Sequence, residues 1–313
     1  MENPVSVSVA IPLYNEESVL PLLLQRTRAV LDALPGDSHE IVCVDDGSSD
    51  RTFQLLKQAV EEDPRIVAIS LSRNFGQQAA FCAAMEHTMG DVVVLMDGDL
   101  QDPPETIPRM LELYHQGYDV VYAIRVKRKE GIVLRACYYL FYRLMASLAE
   151  ITLPQGAGDF SLMSRRVIDQ LNTTPERQRY LRGLRTWFGY RQIGIDVERS
   201  ARAASTPKYT LRQLMRLALD GIFSFSLLPM RAATVLGAVI VSLSALYVIA
   251  IIFTKLFYNE SPQGFTTLVV SIMFFAGLQL LFLGIIGEYI GRIYREVKAR
   301  PLFVLKQIVR KSS

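Results

Sequence analysis

The chain has 313 residues, a net charge of +3 and a mean hydropathy of +0.21. That length holds one soluble domain of ordinary size plus a further segment. The small charge speaks against a nucleic acid partner, the three cysteines lack metal or disulfide spacing, and the N-terminus has no apolar stretch of signal-peptide type.

Val5 to Pro12 predicts a strand stopped by its proline, and Glu17 to Leu34 has the apolar spacing of a helix. Glu40 to Val44 predicts a second strand, Asp50 to Glu62 a helix, Ile66 to Leu71 a third strand and Gln77 to Met89 a helix. Asp91 to Met96 is a short apolar run that reads as a fourth, buried strand, and Asp119 to Ala123 as a fifth. Strands alternating with helices in this way predict βαβ units and an α/β domain with a mostly parallel, Rossmann-like sheet. No G-x-G-x-x-G follows the first strand, which speaks against a conventional dinucleotide-binding domain.

The fourth strand runs into Asp97-Gly98-Asp99, then Gln101 and the Pro103-Pro104 break. Two carboxylates one residue apart at a strand's carboxyl end make a small, hard, oxygen-rich site. Such a site suits Mg²⁺ or Mn²⁺ holding a diphosphate. Open α/β sheets also bind ligands beyond this end of their strands. A solvated acidic turn has the same letters, so the neighbouring segments must decide.

Ile132 to Leu148 is apolar and aromatic-rich, with only Arg135 and Arg143 charged; it fits an amphipathic helix in the headgroup layer or a core helix. Leu211 to Leu228 mixes Arg212 and Arg216 with apolar residues and lies just before a long uncharged stretch, which favours the interface. Ala232 to Phe253 and Phe265 to Gly287 contain no charged residue. Each exceeds the roughly 20 residues needed to cross a bilayer core, and two membrane helices are predicted. Thr254 to Gly264 carries one base, whereas Arg212, Arg216 and Arg231 precede the spans and Arg292, Arg295, Lys298, Arg300, Lys306, Arg310 and Lys311 follow them. The positive-inside rule then puts both termini in the cytoplasm. The expected organisation is a cytoplasmic α/β domain over 1–210, an interface helix over 211–231 and membrane helices over 232–253 and 265–287. A periplasmic loop over 254–264 joins the two spans, and a basic cytoplasmic tail occupies 288–313. Cytoplasmic Cys43, Cys82 and Cys137 would stay reduced. Gly237, Gly277 and Gly284 allow close helix packing, and a homo-oligomer is expected.

The order of motifs resembles one family. Val9-Ala-Ile-Pro12-Leu-Tyr14-Asn15-Glu16, Val44-Asp45-Asp46-Gly47-Ser48, Asp97-Gly98-Asp99-Leu-Gln101 and Gly158-Asp159-Phe160 are similar to the GT-A fold of family 2 glycosyltransferases. The stretches Asp220 to Pro229 and Gly287-Glu288-Tyr-Ile-Gly291-Arg292 resemble the polyprenyl-phosphate glycosyltransferases, above all the bactoprenol glucosyltransferase branch. Dolichol-phosphate mannose synthase is a more distant likeness.

The resemblance implies that Asp97, Asp99 and Gln101 hold the Mg²⁺ or Mn²⁺ that neutralises a sugar nucleotide's diphosphate, with Asp99 counted as catalytic. It places the nucleoside at Pro12, Tyr14, Glu16 and Asp46, whose carboxylate can accept a uracil N3–H. Asp45 reads as an Asx cap of the turn. Arg73 fits either a phosphate contact or a surface arginine beside a turn. Asp159, read here as part of a glycine-loosened loop, is the catalytic candidate on the acceptor side. A lipid phosphate is already anionic at neutral pH, so positioning ranks above base catalysis for Asp159, and an N-cap role comes third. Arg125, Arg135, Arg202 and Lys208 would face the lipid phosphate or the donor diphosphate. Arg177, Arg179 and Arg182 either extend that surface or face solvent. Ser205 and Pro207 stand where the family pattern has glycine and a hydroxyl residue, which stiffens that loop.

The activity implied is inverting transfer of one hexose, glucose as first choice, from a UDP-sugar to undecaprenyl phosphate at the bilayer surface. A GDP-mannose enzyme of the dolichol-phosphate type is the alternative. A processive polymer synthase would need Q-x-x-R-W, but Gln178 is followed three residues on by Leu181. A non-catalytic membrane scaffold would have no use for intact Asp97, Asp99, Gln101 and Asp159.

Overall fold

In the computed structural model, which describes residues 5–36, 38–125, 157–176, 179–197, 228–258 and 264–311, the chain forms two compact units. The first comprises Met1–Tyr142, Ile151–Lys208 and Ala299–Ser313, and the second Arg143–Glu150 and Tyr209–Lys298.

The first unit opens with β1 (Val7–Leu13), α1 (Leu20–Asp32), β2 (Glu40–Asp45), α2 (Thr52–Glu62), β3 (Ile66–Leu71), α3 (Gln77–Glu86) and β4 (Val92–Leu95). A single 3-10 turn at Pro104–Thr106 leads into α4 (Ile107–His115), followed by β5 (Val120–Arg125) and β6 (Ala157–Ser164). Then come α5 (Arg165–Thr173), α6 (Leu181–Trp187) and β7 (Gln192–Val197), and finally β8 (Leu305–Val309). All eight strands join one sheet in the order β7-β5-β6-β4-β1-β2-β3-β8. β4, β1, β2 and β3 run parallel, β6 is antiparallel between β4 and β5, and β8 is an antiparallel edge on β3.

Period-two alternation sorts the strand residues between two layers of helices. Val7, Val9, Ile11 and Leu13 pack with Leu20 and Leu23 of α1, Leu56 of α2 and Met110 of α4. Ala10, Val42, Val44 and Ile69 pack on the other face with α3, Val167 of α5 and Leu184 of α6. In α3 the whole run Ala80 to Met85 is buried, its small residues letting the backbone lie close to the sheet.

Three expectations are corrected. Pro12 does not stop the first strand, which continues to Leu13. The β1–β4 pairing ends at Ala10, so the missing Pro12 N–H faces a side with no ladder left to donate to. Ala157–Ser164, expected to begin as a loop, is strand β6, because Phe160 and Leu162 join one core layer and Met163 the other. The tail beyond 288 is not a free basic segment. It completes a helix to Val297 and then supplies β8, fastened by Ser72 N–H to Val304 O at 2.9 Å and Arg310 Nη2 to His87 O at 3.1 Å.

The second unit is built on α7 (Leu228–Tyr258) and α8 (Phe265–Val297). Among the described residues one stretch, Phe274–Val297, is long and apolar enough to cross a membrane, and Ala233–Tyr247 is a shorter apolar stretch. The apolar span of α8 thus runs past Gly287, and Glu288 pairs with Arg292 one turn on at 3.1 Å, each charge offsetting the other. A Cβ at Gly237 would sit 3.7 Å from Phe282, an ordinary contact between the two helices, whereas a Cβ at Gly277 or Gly284 would meet nothing within 4 Å.

The predicted interface helix over 132–148 with Arg135, residues 211–227 of the second one, Arg177, Arg202, Ser205, Pro207, Lys208 and loop residues 259–263 lie outside the described residues.

Candidate active site

The D-x-D turn is shaped by the strand beside it. A Cβ on Gly98 would lie 2.6 Å from Leu13 Cδ2 and 2.8 Å from Pro12 O, so β1 leaves room for glycine alone between the two aspartates. Leu100 follows with φ 58°, a left-handed backbone costing roughly 1–2 kcal/mol for a residue with a side chain. That turn carries the backbone N–H of Gln101 back to Asp99 Oδ1 at 3.1 Å. Asp97 is fixed from another element: Gln77 Nε2, on the first residue of α3, donates to Asp97 Oδ1. Both carboxylates are half-buried at the carboxyl edge of the sheet. Among the described residues no three His, Cys, Asp or Glu side chains form a metal cluster. Two carboxylates and the Gln101 amide fit a hard cation whose shell is completed by diphosphate oxygens and water.

Beside this turn, three loops brace one another. Asp46 N–H donates to Leu13 O at 2.8 Å, and the Asp46 carboxylate accepts Phe75 N–H at 2.7 Å and Gly76 N–H at 2.9 Å. Burial pushes the Asp46 carboxyl above the usual aspartate value, with the two N–H donors opposing the shift. Asp45 caps Ser48 N–H and accepts Ser70 Oγ, the Asx-cap role expected of it. Asn15 accepts Ser49 N–H at 2.9 Å, and its own N–H donates to Ser48 Oγ at 2.9 Å. Gly47 has φ 71°, and a Cβ there would strike the Arg73 carbonyl carbon at 2.6 Å. Tyr14 stands exposed at the rim, Glu16 is half-buried, and Pro12 is buried in β1. Arg73 lies over the Phe75 ring at 4.1 Å and donates to Asn74 O.

The third component arrives through strand register. β4 pairs antiparallel with β6 up to Leu95↔Ser161, and two residues beyond that pair on the two strands stand Asp97 and Asp159. Asp159 is buried, with Arg182 Nε 3.0 Å from its Oδ1, an ion pair whose N–H direction misses hydrogen-bond alignment.

Residues 8–171, which hold all of these groups except Arg182, match the family described as "Glycosyl transferase family 2". The chain belongs to that family. A "Bactoprenol glucosyl transferase" of Shigella phage SfX is 37% identical over 301 residues, covering 96% of this chain and 98% of the relative. An "Uncharacterized glycosyltransferase YkcC" of Bacillus subtilis is 39% identical over 308 residues, 98% of this chain and 95% of the relative. A solved mannosyltransferase of Pyrobaculum calidifontis is similar at 20% identity, with a TM-score of 0.48 over 72% of this chain and 64% of that one.

In this glycosyltransferase the expected residues Pro12, Tyr14, Glu16, Asp46, Asp97, Asp99, Gln101 and Asp159 fall on adjoining strand ends of one sheet, and Arg125 ends β5 in the same sheet. Asp46 has a local task beside the expected one, and Arg73 takes the place beside a turn that was one of its two readings. Asp46 first organises the turn into α3, and a base N–H would have to share one of its oxygens. Arg73 is stacked on its own loop. Sequence reasoning missed Gln77, although a polar residue opening a helix after Arg73-Asn74-Phe75-Gly76 was a usable signal.

Proposed function

We propose that this glycosyltransferase moves one hexose, glucose as first choice, from a UDP-sugar to undecaprenyl phosphate at the cytoplasmic face of the bacterial inner membrane, using Mg²⁺ or Mn²⁺. The observation that carries the reading is the β4–β6 register, which sets the Asp97–Asp99 turn and Asp159 at the same end of neighbouring strands. A donor diphosphate over the first and an acceptor over the second would meet between them. A cation on Asp97, Asp99 and Gln101 would supply the charge that lets the diphosphate leave. The acceptor phosphate oxygen forms the new bond to the anomeric carbon as the bond to the nucleoside diphosphate breaks on the opposite face, so configuration inverts. That oxygen carries no proton to remove, and Asp159 serves chiefly to orient.

The choice of acceptor is supported by likeness to bactoprenol glucosyl transferases that extends through the helical unit as well as the sheet. Two spans, rather than one, are supported by chain connectivity. β8 returns to the same sheet that holds β1 to β7, so the segment between must cross a bilayer an even number of times. If α8 crosses, α7 is the described segment available for the other crossing.

Purified full-length protein incubated with radiolabelled UDP-glucose, undecaprenyl phosphate and Mg²⁺ should move label into the lipid extract, and excess EDTA should stop it. Release of free sugar irrespective of lipid would mark a hydrolase and overturn the acceptor. Full turnover in EDTA would remove the cation.

A further inference from the structure

Helix α6 presents two arginines three residues apart to the beginning of β6. Arg182 Nη1 donates to Ala157 O at 3.3 Å, and Arg185 Nη2 donates to Gly158 O at 3.1 Å. Consecutive carbonyls leading into Asp159 are thus held from one helix face. The Asp159 carboxylate lies in the same cluster, 3.0 Å from Arg182 Nε. Arg185 is only 3% exposed, lies over the Tyr122 ring at 4.9 Å, and its Nε has no hydrogen-bond partner among the described residues. Burial lowers its pKa to about 10, with Asp159 as the opposing influence, so it remains a cation at neutral pH.

A buried guanidinium is expensive to keep, and an apolar residue of similar volume would pack Leu181–Trp187 against the sheet at lower cost. Solvated arginines on a helix face would not converge on two successive carbonyls and the one carboxylate beyond them. We propose that Arg182 and Arg185 are positioning residues of the transfer reaction: Arg185 is a buried strut that fixes the backbone at Gly158, and Arg182, which is partly exposed, holds the Asp159 carboxylate in its working direction. The inference rests on the reading of Asp159 as the acceptor-side residue. It adds that α6, beyond the family-matched residues, sets the aim of that carboxylate.

The test is a double-mutant cycle on the full-length protein, reading hexose transfer from UDP-glucose to undecaprenyl phosphate. Asp159→Asn and Arg182→Gln should each lower kcat by roughly 10-fold or more, the size of a lost charge-assisted contact. KM for UDP-glucose should stay unchanged. If Arg182 acts through Asp159, the double variant should be within about threefold of the slower single one. Arg182→Lys, which keeps the charge, should recover part of the rate. Trp187, the single tryptophan of the chain, closes the same helix, and unchanged emission would show that α6 has stayed in place. Losses that multiply in the double variant would mean that Arg182 works independently of Asp159 and would overturn the inference alone. An Asp159→Asn enzyme at full rate would overturn the reading of Asp159 and the inference with it. Should Arg182→Gln fail to fold, the cycle with Arg182→Lys decides by the same criterion.

Discussion

A single methyl group at position 98 tests how tightly the site is built. Gly98→Ala places a carbon 2.6 Å from Leu13 Cδ2 and 2.8 Å from a carbonyl oxygen that cannot rotate away. Overpacking of this kind costs about 1–3 kcal/mol, and thermal unfolding should fall accordingly, with UDP-sugar affinity reduced because the flanking aspartates move. Asp99→Ala, by contrast, leaves packing alone and should abolish transfer with the melting temperature little changed; a calorimetric scan beside the transfer assay separates the two cases. Asp97, Asp99, Gln101 and Asp159 could be named from the sequence through the order of several motifs and the resemblance they carry, because an isolated pair of aspartates has the letters of a solvated turn. Gln77 and Arg185 could not, because their importance lies in what they touch across the fold. Asp46 was found for one reason and works locally for another: one sequence cannot show that two backbone N–H groups thirty residues on will claim its oxygens.

At the level of elements, strands β1 to β5 and the helices α1 to α3 could be read within a few residues, since each carries its own periodicity and its parallel partners are bridged by local helices. β6 and β8 could not be placed in this way. Each is an antiparallel strand whose partners come from distant parts of the chain, and β8 is a short, mostly exposed edge with two basic neighbours, which reads as a tail. Removing residues 305–313 should leave the β3 edge bare and cause aggregation visible in size-exclusion chromatography. In α3, Phe81 is fully buried, and Phe81→Ala should destabilise the domain by about 3–5 kcal/mol in denaturant unfolding. The α2–β3 connection carries an acid-sensitive tie. The Arg65 guanidinium hydrogen-bonded to Asp63 holds that carboxyl below its ordinary value of 3.8, with burial opposing. A lowered folded value means that the tie is fully present above pH 3.8 and is lost as pH falls through the folded value. Melting temperature followed downward from pH 5 should therefore decline less steeply in Asp63→Asn than in the wild type.

For the whole molecule, charge distribution alone marked two long uncharged stretches as expected spans, and among the described residues one stretch, Phe274–Val297, is long and apolar enough to cross a membrane. The even-crossing argument gives a direct check of topology. Cys43 and Cys82 are buried, so with Cys137→Ser a cysteine introduced at Asn259 is the accessible thiol to follow. An impermeant maleimide should label it in intact spheroplasts, and labelling only after lysis would reverse the orientation. The most direct measurement of function is mass spectrometry of undecaprenyl phosphate after incubation with a panel of UDP- and GDP-sugars. The expected result is a lipid heavier by one hexose, formed from a UDP-sugar and never extended further. A ladder of added sugars, or a product formed from GDP-mannose alone, would contradict it.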